Sequence, residues 1–277
     1  MIETNWRGSG RKRVAIAMAV DCPGGLPIRV PRVGLLLIYL AAGCGGAPAP
    51  ETPPSGAESD EAGPMSAMTR LATEETEAGW QLLSASLDGW RGYMSDAVPG
   101  GWAVDEGLLT FTPGGEGGDL ITRDQFDDFE LALEWRVESR GNSGIFYRVV
   151  EEGRYAYWTG PEMQILDNEG HPDGASPLTS AGANYGLHAP PEDVTRPVGE
   201  WNEARVVVRG SDVEHWLNGT RVVAYTLGSP EWRALVAESK FSQWPGYGEA
   251  PRGHLGLQDH GDPVWFRNVR VRSLEPR

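Results

Sequence analysis

The sequence predicts an all-β sandwich or jelly roll, and three observations carry that reading. Between Trp80 and Ser273 the apolar residues recur with a period of two, the spacing of a strand with one buried face, not the 3.6 of a helix. Asn218-Gly219 stands between two such alternating runs, and this pair supplies the two positive-φ residues that a type I′ hairpin turn requires. The connections are rich in glycine and proline, of which the 277-residue chain holds 37 and 21, and that punctuation suits many short strands.

Residues 108–112 form the first expected strand. Over 129–137, Phe129, Leu131, Leu133, Trp135 and Val137 alternate with Glu130, Ala132, Glu134 and Arg136, so the two sets face opposite sides of a sheet. Further strands are expected over 144–150, 161–166 and 203–209, the last closed by Gly210. The hairpin follows over 213–223, then strands over 254–258 and 264–272. Residues 230–236 are the one helical stretch, and no internal repeat is present. Ten of the 11 tryptophans fall in this region. Trp135 is in phase with the apolar face and belongs to the core, whereas Trp158, Trp201 and Trp244 flank turns, where an indole can stack on a sugar ring.

The first eighty residues have a different character. Residues 33–42 are an apolar run preceded by Arg29 and Arg32; a bilayer span needs about 20 residues, so this one has the length of a signal-peptide core. Small residues precede Cys44, as at a bacterial lipoprotein processing site, where the cysteine is lipidated and becomes the new N-terminus. Ordinary cleavage near Ala42, or a buried core segment, is the alternative. The residues before Arg29 are unusual for a signal peptide and place the true translation start downstream of Met1. From Cys44 to Pro64 small residues, prolines and acids dominate, a composition that buries too little apolar surface to fold and serves as a tether. The organisation is therefore a signal region over 1–43, a lipidated cysteine and flexible linker over 44–79, and one domain over 80–277. The expected location is the cell envelope, on the outer-membrane or periplasmic side, with a membrane held through the lipid.

Both cysteines, Cys22 and Cys44, precede the domain, which therefore has no disulfide and no thiolate nucleophile. The net charge is −15; residues 1–43 hold six basic against two acidic side chains, so the remainder carries −19. Such a surface repels phosphate backbones and excludes nucleic acid as a partner.

Two segments concentrate the chemistry. Gly141-Asn-Ser-Gly-Ile-Phe-Tyr-Arg148 and Gly256-Leu-Gln-Asp-His260 each couple a glycine-rich turn to an alternating strand. Between them lies Glu162-Met-Gln-Ile-Leu-Asp167, in which Glu162 and Gln164 share a face while Met163 and Ile165 point inward. Asp167 joins that face only if the strand bulges or ends. The spacing is similar to the Glu-x-Asp-x-x-Glu of laminarinase-type glycosidases, but Gln164 replaces a carboxylate, and retaining hydrolysis needs two carboxyl groups about 5 Å apart. Arg148, opposite Tyr147, offers a fork of donors for an oxyanion. Lys240 is an isolated cation in an aromatic loop, and Glu134 and Arg136 share the polar face of their strand. Among the five histidines, His260 and His188 sit at strand ends or loops and are acid–base candidates, whereas His171 and His215 read as structural or solvent-facing. The histidines lack ligand spacing, so no zinc site is expected, although loop carboxylates leave room for a divalent cation. The Gly-x-Ser-x-Gly elbow, phosphate loop and dinucleotide fingerprint are missing, so no organic cofactor is expected.

These pieces together resemble one family. Leu87-Asp-Gly-Trp90, Asp128-Phe-Glu-Leu131, Asn142-Ser-Gly-Ile-Phe-Tyr-Arg148 and Glu162-Met-Gln-Ile-Leu-Asp-Asn168 come first. Gly182-Ala-Asn-Tyr-Gly186, Gly199-Glu-Trp-Asn202, Trp216-Leu-Asn-Gly219 and Gly256-Leu-Gln-Asp-His-Gly261 follow in order. On these motifs the chain resembles the bacterial 3-keto-disaccharide hydrolase domain family. The resemblance implies a concanavalin A-like, laminin-G-like jelly-roll β-sandwich and export on a lipid anchor. It also implies cleavage of glycosides already oxidised at C3 by a separate sugar 3-oxidoreductase. On this reading His260 or Glu162 is the base, and Arg148 and Lys240 clamp the enolate. Asn142, Gln164 and Asp167 position hydroxyls, and Tyr185, His188, Gln258, Glu134 and Trp244 complete the substrate contacts. A non-catalytic carbohydrate-binding module and an ordinary laminarinase-like glycosidase are the competing functions.

Overall fold

Residues 70–115 and 117–275 are described by a computed structural model. The apolar run over 33–42, both cysteines and the linker up to residue 69 lie outside the described residues. The elements are α1 (Thr73–Glu77), β1 (Gln81–Leu82), β2 (Trp90–Gly92), β3 (Trp102–Asp105), β4 (Leu108–Phe111), β5 (Leu120–Thr122), β6 (Phe129–Val137) and β7 (Asn142–Val149). They continue with β8 (Glu162–Leu166), β9 (Asn202–Arg209), β10 (Asp212–Leu217), β11 (Thr220–Thr226), α2 (Pro230–Glu238), β12 (His254–Leu257) and β13 (Val264–Ser273).

Alternating strands bury one face each, and two antiparallel sheets result. The larger runs β11-β10-β9-β6-β13-β4-β3, with β1 on the edge of β13; the smaller runs β2-β5-β12-β7-β8. Phe129, Leu131, Leu133, Trp135 and Val137 of β6 are buried against Ile145, Tyr147, Met163, Ile165, Leu255 and Leu257 of the smaller sheet. The jelly-roll sandwich read from the sequence is the observed architecture. Asn218 and Gly219 have φ of 49° and 80°, as the β10–β11 turn requires. β1, β2, β3 and β5 are two to four residues long, too short to show a period. α1 precedes the Trp80 boundary, and Glu75 reaches Arg270 on β13 at 3.3 Å.

Two features of the fold shape the surroundings of β8. Its exposed edge is covered: Gln164 N donates to Ala183 O (3.0 Å) and Tyr185 N to Glu162 O (3.0 Å), so residues 182–185 act as a strand substitute. Behind it runs an aromatic stack. His188 lies on Tyr225 (4.7 Å, 10° between planes), Tyr225 on Trp232 (5.1 Å, 8°), Trp232 on Tyr247 (5.7 Å, 4°) and Tyr247 on Phe241 (4.0 Å, 13°). Trp232 belongs to α2, which starts at Pro230 with Ser229 Oγ accepting from Trp232 N (3.1 Å). The stack thus ties α2 and the turn after it to the sandwich. Trp232→Ala is expected to cost about 3–5 kcal/mol of stability, read from urea denaturation, because it removes the middle of this stack; a cost near zero would show the stack to be ornamental.

Candidate active site

The outer face of the smaller sheet carries the site. Met163 and Ile165 are fully buried between the sheets, so strand alternation turns Glu162 and Gln164 the other way. On the neighbouring strand Asn142, Gly144 and Phe146 share that outer face, with Gly144 paired to Gln164 and Phe146 to Glu162. Gly144 makes room for the carboxyl: a Cβ there would collide with Glu162 Oε1 and lie 2.7 Å from its Cδ. Glu162 therefore lies across the backbone of β7. The Gln164 amide nitrogen, in the orientation that satisfies it, donates to Glu162 Oε1 (3.2 Å) and to the Ser143 carbonyl (3.1 Å).

A pocket of about 200 Å³ opens over this pair, lined by Asn142, Tyr157, Glu162, Gln164, Asp173, Tyr185, Lys240, Gln258 and His260. Gln258 follows β12, and its N–H donates to the Gly144 carbonyl (2.9 Å) while Ser143 Oγ donates to the Gln258 carbonyl (2.8 Å). Its side-chain Oε1 is buried and has no hydrogen-bond partner, an acceptor left for a ligand or water. Tyr185 arrives on the segment that covers β8 and donates its hydroxyl to Asp173 Oδ2 (3.2 Å). Lys240 begins the turn after α2, beside Phe241 of the aromatic stack; its Nζ lies 4.3 Å from the Tyr185 ring centroid and 5.6 Å from that of Tyr157.

The electrostatics follow from this enclosure. Burial pushes the Glu162 carboxyl up to about 8, and the Lys240 cation only partly opposes it. Burial also pulls the Lys240 ammonium below its usual value, with Glu162 and Asp173 opposing. Tyr185 is raised by burial and by the Asp173 charge. Asp119, whose carboxylate accepts from Asp259 N (3.1 Å), is raised by burial to about 7 and adds to the upward shift of Glu162. A carboxyl near 8 has a high proton affinity, and its ionised fraction, the one that accepts a proton, grows as pH rises toward that value.

Of the residues singled out from the sequence, Glu162, Gln164, Asn142, Tyr185, Lys240, Gln258 and His260 come together here. Five of the proposed catalytic and substrate-contact residues do not line the pocket. Arg148 has φ +53° at a bulge where the β7–β12 register shifts, and its guanidinium donates to the Gly210 carbonyl in the β9–β10 turn. It stands four residues along the strand from Gly144, about 13 Å, so it is removed from the enolate clamp. Asp167 follows the end of β8, where its carboxylate accepts from the backbone N–H groups of Arg140 (2.7 Å), Glu169 (3.2 Å) and Gly170 (2.9 Å) and serves a turn. His188 is locked in the aromatic stack, its imidazole lowered by burial. Glu134 lies on the larger sheet, paired with Arg267 (2.6 Å) and Asn268 (2.5 Å). Trp244 stacks on Trp158 (5.5 Å) and meets the Tyr157 ring edge-on (5.4 Å), so it supports the wall without forming it. Trp201 also lies elsewhere, between the Arg136 and Arg267 guanidinium groups.

Tyr157, Asp173 and Asp119 escaped the sequence reading. The aromatic run Tyr155-Ala-Tyr157-Trp158 and the loop His171-Pro-Asp173-Gly carried their only signal. For a metal, donor atoms of His171, His260 and Asp262 lie within 4.8 Å of one another. His171 Nδ1, however, accepts the Asp173 N–H (3.1 Å), which places the neutral ring's proton on Nε2 and leaves it no free lone pair. The residues therefore do not fit a three-ligand cation. A second cavity of about 500 Å³, beside Trp135 and residues 193–202, draws its Asp167 and Asp193 carboxylates into internal hydrogen bonds.

The family model for the 3-keto-alpha-glucoside-1,2-lyase-like domain matches residues 79–272, the whole sandwich. This chain belongs to that family. It is 38% identical over 220 residues to a 3-keto-disaccharide hydrolase of Bacteroides thetaiotaomicron, covering 69% of this chain and 76% of the relative. Among solved structures it is similar to a candidate glycosyl hydrolase of Parabacteroides distasonis (TM-score 0.69, 31% identity, 75% of this chain and 99% of that one). A second candidate glycosyl hydrolase of the same organism aligns with TM-score 0.55 and 26% identity over 70% of this chain and 99% of that one.

The raised Glu162 makes a stability test. Its folded value of about 8 lies above the usual 4.5, so between those limits the folded state holds the proton that the unfolded state releases. Stability from this group is full below about pH 4.5 and is lost as pH rises to about 8. Glu162→Gln is expected to flatten the fall of Tm with pH across that window; a variant whose slope equals the parent's would show that Glu162 is not the buried acid.

Proposed function

We propose that this domain cleaves glycosidic bonds of sugars carrying a ketone at C3, by elimination followed by hydration. The observation that carries this reading is the buried carboxyl of Glu162, whose neighbour on the sheet face is the amide of Gln164, while the other carboxylate of the pocket, Asp173, accepts from the Tyr185 hydroxyl. Ordinary retaining hydrolysis needs a second carboxylate as partner. A ketone at C3 makes the C2 hydrogen acidic, so one base suffices. Glu162 takes that proton, the enolate electrons form the C1–C2 double bond, and the bond from C1 to the glycosidic oxygen breaks. The departing oxygen gains a proton; water then adds at C1 and a proton returns to C2, which sums to hydrolysis.

Lys240 is the cation for the enolate oxygen, its charge held against the Tyr185 face. Asn142, Gln164 and Gln258 supply amide contacts to hydroxyls. The lyase in the family's description and the named Bacteroides relative support the reaction class. On this reading the C3 ketone is supplied by a separate sugar 3-oxidoreductase. Cys44 with the apolar run before it supports a lipid-anchored, exported protein. Cys44→Ser is expected to release the domain from the membrane fraction, and retention there would remove the anchor.

The purified domain, given a 3-keto-glucoside and its unoxidised parent, is expected to release aglycone from the keto form alone. Release from the parent would indicate a glycosidase, and binding without release a carbohydrate-binding module. Glu162→Gln is expected to lower kcat/KM by about 10²–10⁴-fold; turnover at the parent rate would remove Glu162 as the base.

A further inference from the structure

One polar line beside the pocket has a direction fixed at both ends. It begins at Asp173, whose backbone N–H donates to His171 Nδ1 (3.1 Å) as the cap of the turn Pro172–Ala175. A neutral imidazole accepting at Nδ1 carries its proton on Nε2. That Nε2, a donor, lies 3.5 Å from the outer atom of the Asn142 side-chain amide, which by its partner is then assigned as the oxygen and not the nitrogen. The inner atom of the Asn142 amide, 3.4 Å from the Gln164 amide, is by the same assignment its nitrogen. The line ends at the Ser143 carbonyl and Glu162 Oε1, both of which accept from the Gln164 nitrogen, leaving the Gln164 oxygen for Asn142. Amide oxygen and nitrogen are told apart by their partners, and here a backbone donor at one end and a backbone acceptor at the other dictate every link.

We infer that His171, acting through Asn142 and Gln164, is a positioning residue that keeps a hydrogen-bond donor on Glu162 and makes His260 a proton donor, not the base. The second half follows from the same oxygen. Asn142 lies 3.5 Å from His260 Nε2 as well as from His171 Nε2. With its oxygen on that side, His260 meets it only with Nε2 protonated. His260 is half exposed at the rim and its Nδ1 is turned to Asp262 (3.7 Å), so solvent can return a proton it loses. In the elimination, the C2 proton goes to Glu162 while His260 passes its Nε2–H to the glycosidic oxygen as the bond to C1 breaks and takes a solvent proton at Nδ1, so the ring stays neutral. The assignment of chemical roles rests on the keto-glycoside reading; the hydrogen-bond line does not.

Long-range proton–nitrogen NMR of the purified, nitrogen-labelled protein reads the tautomers without any substrate. Expected are a bare Nδ1 and protonated Nε2 at His171, and a protonated Nε2 at His260. A protonated Nδ1 at His171, or a bare Nε2 at His260, overturns the inference. His171→Leu is expected to lower kcat on a 3-keto-glucoside at least about tenfold, whereas His171→Gln, whose amide restores an N–H at the Nε2 position, recovers most of it. Equal kcat in the two variants overturns the positioning role, and if His171→Leu fails to fold the spectra still decide. If the wild-type protein turns over no keto-sugar while the spectra are as expected, the functional reading fails and the line stands.

Discussion

Everything at the site depends on the missing side chain at Gly144. Two neighbouring strands of a sheet hold outward-facing residues close enough that a Cβ at position 144 of β7 would occupy the space of the Glu162 carboxyl. With glycine there, the carboxyl lies flat on the strand, out of water, within reach of the Gln164 amide. That burial raises its pKa, and the raised pKa gives it the affinity for protons that a base needs near neutrality. One backbone vacancy therefore connects strand pairing, desolvation and chemistry.

The rest of the architecture holds the cation against that carboxyl. Lys240 sits at the start of a turn whose next residue, Phe241, closes the aromatic stack through Tyr247 and Trp232. Burial works against both charges, raising Glu162 and lowering Lys240, while each favours the other's charged form. Burial at this pocket thus favours the neutral form of Glu162, and the stack fixes the turn that brings Lys240 over it. The outer face of the larger sheet is different: Glu130 is buried between Arg205 and Arg272, which pair with it from both sides, while the more exposed pair of Glu134 with Arg267 contributes little.

The strands and the inward or outward sense of most side chains were legible in the sequence, because a period of two needs no tertiary information. Glu162 and Gln164 on one face, Met163 and Ile165 on the other, follow from alternation alone. Legibility stopped where the backbone departs from alternation. Arg148 adopts a positive φ at a bulge, which no residue type there announces, and Asp167 turns into a loop as β8 ends. His188 differs from its expected role for another reason: its ring is defined by Tyr225 and Trp232, which are remote in sequence. Tyr157, Asp173 and His171 enter on loops, whose placement is set by what they pack on and not by local pattern.

A mechanism built on one base differs from direct hydrolysis in what becomes of the hydrogen at C2. Elimination removes it, and hydration replaces it from solvent; displacement at C1 leaves it untouched. Turnover of a 3-keto-glucoside in heavy water, with the released 3-keto-sugar read by NMR against a sample without protein, separates the two. Deuterium at C2, introduced by the parent and lost in proportion to turnover in Glu162→Gln, is the expected result. Product that retains its original C2 hydrogen would contradict the role of Glu162 as the base and the carboxyl-over-glycine arrangement that supports it.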